Sequence, residues 1–261
     1  MTDKRQVDFM IIGVQKGGTT ALASFLNAHP QLVMAEGKEV HLFDSPDYSP
    51  AWSAADIDER YARHFPDSSG EGAGQLCGEA TPIYLYWPEI IPELYRYNPR
   101  LRLVVILRDP AERACSQYAM EYHRGNESRS LAVALLLEYF RLKRSPGRGG
   151  TSARRIHSYL SRGKYARQLE VVRRYFPDEQ ILVLDNSELL GQHRLALQRV
   201  FAFLGVDDSV AVPAERVFQG EGLNAPVILK KMLRIYFYRS NRRLRALLGS
   251  MGMKVNFPWL T

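Results

Sequence analysis

Cysteine is scarce in this sequence. The 261 residues include only Cys77 and Cys115. Two cysteines cannot build a disulfide framework, and without CxxC spacing or a cluster of histidines they do not indicate a zinc site. Each lies in apolar or helical surroundings, so we expect both to be small buried thiols in a reducing compartment.

Long hydrophobic runs are also absent. No apolar stretch approaches the ~20 residues that cross a bilayer. Residues 1–10 are charged and lead into a short strand-like run, not into the apolar core and small-residue cleavage site of an export signal. We therefore expect a cytoplasmic protein. Hydrophobic residues make up 46% of the chain, enough for the core of a single domain over residues 1–261.

Acidic residues are missing from residues 230–245. Seven of the 35 basic residues lie there, and without them basic and acidic residues are equal at 28 each, so this segment accounts for the net charge of +7. It belongs to a C-terminal helical segment predicted over residues 226–261. Three interpretations stay open: the solvated face of a packed helix, peripheral contact with a membrane surface, and contact with nucleic acid. Contact with nucleic acid is the least favoured.

The order of the apolar runs predicts the fold. "DFMIIGV" (8–14) and "LRLVVILRDP" (101–110) are continuous apolar runs of the kind that form buried parallel strands. Helical patterns alternate with such runs and predict helices over residues 19–28, 56–65, 110–124, 130–144, 164–176 and 193–204. This alternation favours an α/β fold with a P-loop-type central parallel β-sheet flanked by helices on both faces.

The stretch "GVQKGGTT" (13–20) joins the first predicted strand to the first predicted helix. A Walker A loop reads GxxxxGK[ST], with its lysine directly before the hydroxyl residue that binds magnesium. Gly13 and Gly18 keep the glycine spacing, but here the lysine stands earlier. Backbone N–H groups, the helix dipole and threonine hydroxyls still suit a phosphate. The candidate ligands of that phosphate are Lys16, Gly17, Gly18, Thr19 and Thr20.

A second candidate anion site lies in "VVILRDPAERACSQY". Arg108 follows a buried strand, at the sheet edge where α/β folds bind ligands, and its guanidinium can bind a phosphate through two N–H groups. Ser116 comes eight residues later, two turns into the next predicted helix. We find no convincing apolar strand that ends in a Walker B aspartate, because "VVILRD" has an arginine before its Asp109.

Three functional hypotheses follow from these loops. Sulfuryl transfer suits a phosphate loop without a metal, because the transferred group carries less charge than a γ-phosphoryl group and one lysine can supply the cation. The alternative is a P-loop small-molecule kinase with a degenerate Walker A loop, which predicts dependence on magnesium and ATP. A third hypothesis is a non-catalytic membrane or nucleic-acid binder, which predicts binding that falls steeply with salt.

"IIGVQKGGTTALASFLNAHP" resembles the 5′-phosphosulfate-binding motif of sulfotransferases that use 3′-phosphoadenosine 5′-phosphosulfate (PAPS). "VVILRDPAERACSQY" resembles their 3′-phosphate motif. The likeness is above all to heparan sulfate N- and 3-O-sulfotransferase domains and their bacterial relatives, and it covers residues 8–125 and 160–206. It implies PAPS as the cofactor, 3′,5′-bisphosphoadenosine as the product, no required metal, and a 3′-phosphate held by Arg108 and Ser116.

"GKEVHLFD" (37–44) resembles that family's loop with the catalytic carboxylate. The resemblance implies that Glu39 is the general base, that His41 has a role in the site, and that Lys16 stabilises the leaving bisphosphate. It also places Tyr165 beside the cofactor. A base beside anions is expected to have a raised pKa.

Two other carboxylates, Glu36 and Glu79, are rival bases. In the glycan enzymes a lysine follows the glutamate that corresponds to Glu79, and here that position is Ala80. The acceptor therefore stays open between a carbohydrate, a glycolipid and a natural product, with a hydroxyl or an amine as the nucleophile. Residues 130–160 are interpreted as an insertion that faces the acceptor. The expected cofactor lid has only Arg216, Gly220 and Gly222 as motif-like residues.

Overall fold

The computed structural model describes residues 6–37, 39–66, 74–145, 147, 150–214, 225–253 and 256–260. The expected lid residues Arg216, Gly220 and Gly222 lie outside this range. The chain divides into two compact units. Unit 1 comprises residues 1–107 and 171–218, and unit 2 comprises residues 108–170 and 219–261. The single domain over residues 1–261 stays a prediction.

Unit 1 is built on a five-stranded sheet in which every pair of neighbouring strands is parallel. The strands are β1 (Phe9–Gly13), β2 (Leu32–Met34), β3 (Leu76–Ala80), β4 (Arg102–Leu107) and β5 (Ile181–Asp185). Their order across the sheet is β2-β3-β1-β4-β5. β2 and β3 lie on one side of β1, and β4 and β5 lie on the other. The direction of chain crossing therefore reverses at β1, and α/β sheets bind their ligands at the carboxyl ends of the strands at such a point.

Ten helices lie in the described part of the chain. They are α1 (Thr19–Asn27), α2 (Ala54–Ala62), α3 (Ile91–Tyr97), α4 (Pro110–His123), α5 (Leu131–Arg144), α6 (Ala153–Ile156), α7 (Tyr165–Val172), α8 (Asn186–Gly191), α9 (His193–Leu204) and α10 (Val227–Ser250). Single 3-10 turns cover Tyr84–Tyr86, Ser161–Gly163 and Asp178–Gln180.

The sheet of unit 1 is buried on both faces. Side chains from α1, α8 and α9 pack with alternate strand residues such as Ile11, Val104 and Leu184 in one apolar cluster. The intervening residues Ile12 and Val105 are fully buried as well. Burial on both faces explains the continuous apolar runs. The predicted α/β architecture, a central parallel sheet flanked by helices, is confirmed.

Unit 2 contains α4, α5, α6, α10 and the first part of α7. Side chains of α4, α5 and α10 share a second apolar cluster that includes Tyr118, Leu135 and Leu233. Phe237 of α10 is fully buried, and a Cβ on Gly163 would lie 2.6 Å from its ring. Glycine at position 163 therefore lets α10 pack closely within this unit.

Two sequence expectations about local structure have clear outcomes. Both cysteines are buried and free, as predicted. The helix predicted over residues 164–176 ends at Val172, because the N–H groups of Arg174 and Tyr175 bond three residues back and tighten the chain into turns. None of the described helices is both long enough and apolar enough to span a membrane.

Candidate active site

The turn between β1 and α1 is pinned by its backbone. The Gly17 N–H donates to the Val14 carbonyl at 2.8 Å, and the Val14 N–H donates to the Ile106 carbonyl of β4 at 2.9 Å. A Cβ on Gly17 would lie 2.6 Å from the Ile106 oxygen and 2.8 Å from the Val14 oxygen. Only glycine permits this approach, so the shape of the turn depends on position 17.

The N-terminus of α1 offers donors to an anion. Gly18 has φ of 101° and provides no side-chain cap for the first N–H groups of the helix. These groups have no carbonyl partner within a helix, and the helix dipole adds to their attraction for negative charge. Thr19 is buried, Thr20 is half-buried, and Lys16 stands on the turn with φ of 68°. The five predicted loop residues thus form one cationic, N–H-rich turn.

Asn186 is a site residue that the sequence analysis missed. It begins α8 directly after β5, and its Nδ2 donates to the Gly17 carbonyl at 2.9 Å. A Cβ on Gly18 would come within 2.5 Å of the same nitrogen. Asn186 therefore holds the loop from the start of α8, 169 residues away in the sequence. The sequence signal that could have identified Asn186 is a polar residue directly after a buried parallel strand.

In the loop after β2, the His41 side chain lies between those of Glu39 and Asp44. Glu39 Oε2 lies 3.2 Å from His41 Nε2, and His41 Nδ1 lies 3.0 Å from both carboxylate oxygens of Asp44. The Asp44 side chain is completely buried, whereas those of His41 and Glu39 are 37% and 23% exposed. Asp44 thus orients the ring and Glu39 faces its other nitrogen. The pairing with Asp44 was not predicted.

Glu39 and His41 share an unusual backbone. Their φ angles are 64° and 56°, in the left-handed region that residues with a Cβ rarely adopt. Such conformations collect at functional sites, where the surrounding structure maintains them. The loop is anchored from the segment after β3, since the His41 N–H donates to Thr81 Oγ1 at 3.3 Å and the Phe43 N–H donates to the Tyr84 hydroxyl at 3.2 Å.

The carboxylates of Glu39 and Asp44 favour the protonated form of the His41 ring. Burial alone lowers the pKa of His41, but hydrogen bonds to Asp44 and Glu39 and the charges of both carboxylates outweigh it and raise the pKa from 6.5 to about 9. At neutral pH His41 therefore carries a positive charge between two carboxylates.

Glu79, one of the two rival bases, lies beneath this loop. It is fully buried, it accepts a hydrogen bond from the Thr81 hydroxyl, and its Oε2 has no hydrogen-bond partner among the described residues. Burial raises its pKa to about 8, and the hydrogen bond from Thr81 and the charge of His41 lower it only in part. Glu79 is thus neutral at pH 7. The other rival, Glu36, is exposed.

Conformational stability should fall as pH rises. In the folded chain Glu79 keeps its proton between its ordinary pKa of 4.5 and about 8, and His41 keeps its proton between 6.5 and about 9. Both contributions are complete below the unfolded pKa and are lost as pH rises through the folded pKa. We expect the midpoint of urea unfolding to fall across this window. Glu79→Gln, which keeps an acceptor for Thr81, should flatten the decline below about pH 8. An unchanged slope in this variant would contradict the assignment.

Unit 2 holds the second set of predicted ligands. Arg108 follows β4, and its carbonyl accepts a hydrogen bond of 2.9 Å from the hydroxyl of Tyr165, which is 1% exposed. Asp109 caps α4 by accepting from the Ala111 N–H at 2.8 Å. Ser116 is half-buried, and its hydroxyl makes no hydrogen bond to any described residue. The structure therefore links Arg108 to Tyr165 directly, through the backbone.

In residues 6–37, 39–66, 74–145, 147, 150–214, 225–253 and 256–260, no three His, Cys, Asp or Glu side chains cluster as a metal-binding group. The donors of the β1–α1 turn are instead N–H groups, hydroxyls and a lysine, a set that suits an anion.

Comparison with known sequences places the chain in a family. The model of the sulfotransferase domain matches residues 6–219. Heparan sulfate glucosamine 3-O-sulfotransferase 5 of Mus musculus is 29% identical over 202 residues, which are 77% of this chain and 54% of that protein. The chain thus spans about half the length of this curated relative.

Solved structures share the fold. A sulfotransferase from Alicyclobacillus acidocaldarius superimposes with a TM-score of 0.78 at 24% identity and covers 98% of this chain and 99% of its own. The mouse sulfotransferase SULT7A1 complexed with PAP gives a TM-score of 0.53 at 16% identity and covers 97% of this chain and 90% of its own. The family match over residues 6–219 shows that the chain belongs to the sulfotransferase domain family.

Proposed function

We propose that this chain transfers a sulfuryl group from PAPS to a hydroxyl or amine of a carbohydrate, glycolipid or natural-product acceptor. The observation that carries the proposal is the turn between β1 and α1. Its backbone is pinned by Ile106 and Asn186, the helix behind it has no side-chain cap, and its cation is Lys16. This donor set fits the 5′-phosphosulfate end of PAPS, which supplies the activated sulfuryl group when bound.

Glu39 acts as the general base. The acceptor oxygen or nitrogen attacks sulfur in line, the bond from sulfur to the bridging oxygen breaks, and 3′,5′-bisphosphoadenosine leaves with the electron pair. The Glu39 carboxylate takes the acceptor proton. His41, protonated at neutral pH and oriented by Asp44, lies 3.2 Å from Glu39 Oε2 and fixes the position of that oxygen. Such base catalysis contributes about 10²–10⁴-fold to a rate.

Lys16 and the loop amides stabilise the leaving group. A lysine beside the bridging oxygen offsets the charge that develops there as the sulfur–oxygen bond breaks. Arg108 and Ser116 hold the 3′-phosphate in this proposal, and Tyr165 supports Arg108 by bonding to its carbonyl. A 3′-phosphate site would distinguish PAPS from ATP, and the PAP complex of the mouse sulfotransferase supports a bisphosphate ligand.

Calorimetric titration tests the cofactor. Full-length protein is titrated with 3′,5′-bisphosphoadenosine and with ADP, each with and without magnesium. We expect the bisphosphate to bind at least ~10-fold more tightly than ADP, irrespective of magnesium, because each phosphate gains charge-assisted hydrogen bonds. Preference for ADP with magnesium would overturn the proposal and favour the kinase hypothesis.

A further inference from the structure

The helix α10 has one face that belongs to unit 2. Leu233, Phe237, Asn241, Leu244 and Leu248 are its buried residues. Three of its basic residues are also used within the unit, since Lys230 pairs with Glu112 at 3.0 Å, Arg234 with Asp109 at 3.6 Å and Arg243 with Glu170 at 2.6 Å. The buried residues determine which side of the helix points outward.

The opposite face is apolar and exposed. Its large apolar side chains are Val227 (70% exposed), Ile228 (74%), Met232 (61%), Ile235 (77%), Tyr236 (47%) and Tyr238 (51%). At about 100° per residue Ile228, Met232 and Ile235 lie opposite the buried residues, Tyr236 and Tyr238 lie at the two edges of that half, and Val227 lies just beyond one edge. Single exposed apolar residues are ordinary, whereas a contiguous group of this kind marks an interaction surface.

Basic residues lie on the same half of the helix, with Arg245 at its edge. Lys231, Arg239 and Arg245 are exposed and form no ion pair with any described residue, and Arg242 is exposed with its guanidinium 5.9 Å from the Tyr238 ring centre. α10 contains no acidic residue. We name this surface, formed by these four basic residues and the six exposed apolar ones, the α10 outer face.

We propose that the α10 outer face binds the surface of an anionic lipid bilayer, with the helix lying flat on the membrane. The argument is charge complementarity. The apolar side chains can penetrate the headgroup region of a bilayer, and the tyrosines can lie at its boundary. The Lys and Arg side chains beside them can bind anionic headgroups. α10 is roughly 36 Å long, and its outer face runs along most of that length. The inference does not depend on the proposed sulfuryl transfer.

Vesicle flotation tests the proposal on the full chain. The vesicles are phosphatidylcholine alone or with about one-third phosphatidylserine. We expect binding to the anionic vesicles only. The triple variant Lys231→Gln, Arg239→Gln, Arg245→Gln should lose about 100-fold in partitioning, since each basic residue near such a surface contributes about a factor of five. Ile228→Ser with Ile235→Ser should lose at least ~10-fold, because burial of both apolar side chains is lost.

Two matched controls separate this surface from general effects. Arg100→Gln, Arg174→Gln, Arg194→Gln removes the same charge from exposed positions of unit 1. Leu136→Ser removes an apolar side chain that is 76% exposed on α5. Both controls should bind as the unchanged chain does, and thermal unfolding should show every variant folded.

Several outcomes would overturn the proposal. One is equal loss in a control variant, and another is no binding of the unchanged chain to anionic vesicles. A third is loss with the basic variant but not with the isoleucine variant, which would indicate electrostatic adsorption without insertion of the apolar side chains. The last is a dimer formed through this face. In that case the unchanged chain is dimeric in sedimentation, the isoleucine variant is monomeric, and neither binds lipid.

Discussion

Glu39→Gln should lower kcat by about 10²–10⁴-fold and leave the affinity for 3′,5′-bisphosphoadenosine unchanged. Glutamine has the size of glutamate, and its carbonyl can still accept a hydrogen bond from His41 Nε2, which lies 3.2 Å from Glu39 Oε2. It cannot take a proton. The change therefore removes base catalysis while the β1–α1 turn keeps its donors. Turnover with PAPS and an acceptor, together with calorimetry, measures the two effects separately.

The rival carboxylates provide matched controls for this prediction. Glu36→Gln changes an exposed side chain three positions earlier and should retain turnover. Glu79→Gln replaces a carboxyl group that is neutral at pH 7, with a pKa of about 8, and should also retain most of its turnover at that pH. Full activity of Glu39→Gln, with loss in either control, would transfer the base assignment to that residue.

Gly17→Ala should weaken binding of 3′,5′-bisphosphoadenosine about 100-fold or more. The new Cβ would lie 2.6 Å from the Ile106 oxygen and 2.8 Å from the Val14 oxygen. Neither carbonyl can yield easily, because each accepts a backbone hydrogen bond that holds the turn. The backbone of the turn must move instead, and its N–H groups lose their alignment. We also expect about 1–3 kcal/mol of destabilisation, as for other overpacked sites.

Gly191→Ala is the matched control. This glycine ends α8, has no positive φ, and would place its Cβ in open space. Binding and stability should both stay close to those of the unchanged chain. Lys16→Met complements the pair, since it removes the cation without touching either glycine and should reduce turnover. If Gly17→Ala is folded by thermal unfolding and binds the bisphosphate normally, the β1–α1 turn is not the anion site.

The sheet could be predicted because its signals are local. The apolar run before Gly13 and the run before Arg108 are each continuous, and only strands buried on both faces require that. The glycines of the first turn and the helix behind it indicated an anion-binding turn from neighbouring residues alone. For the same reason the motif order was enough to identify a resemblance that the family match then confirmed.

What the sequence by itself determined is therefore the fold class, the family and the position of the β1–α1 turn that we propose as the anion site. The tertiary structure alone decided how that turn and the loop with Glu39 and His41 are held. Asn186 reaches Gly17 from the start of α8, directly after a distant strand, and Thr81 accepts a hydrogen bond from the backbone N–H of His41. The pairing of His41 with buried Asp44 depends on the left-handed φ angles of this loop, which the sequence pattern does not predict. The contacts of Asn186 and Thr81 arise only when parallel strands bring their carboxyl ends to one edge, because propensity and pattern describe neighbours in the chain and not neighbours in space.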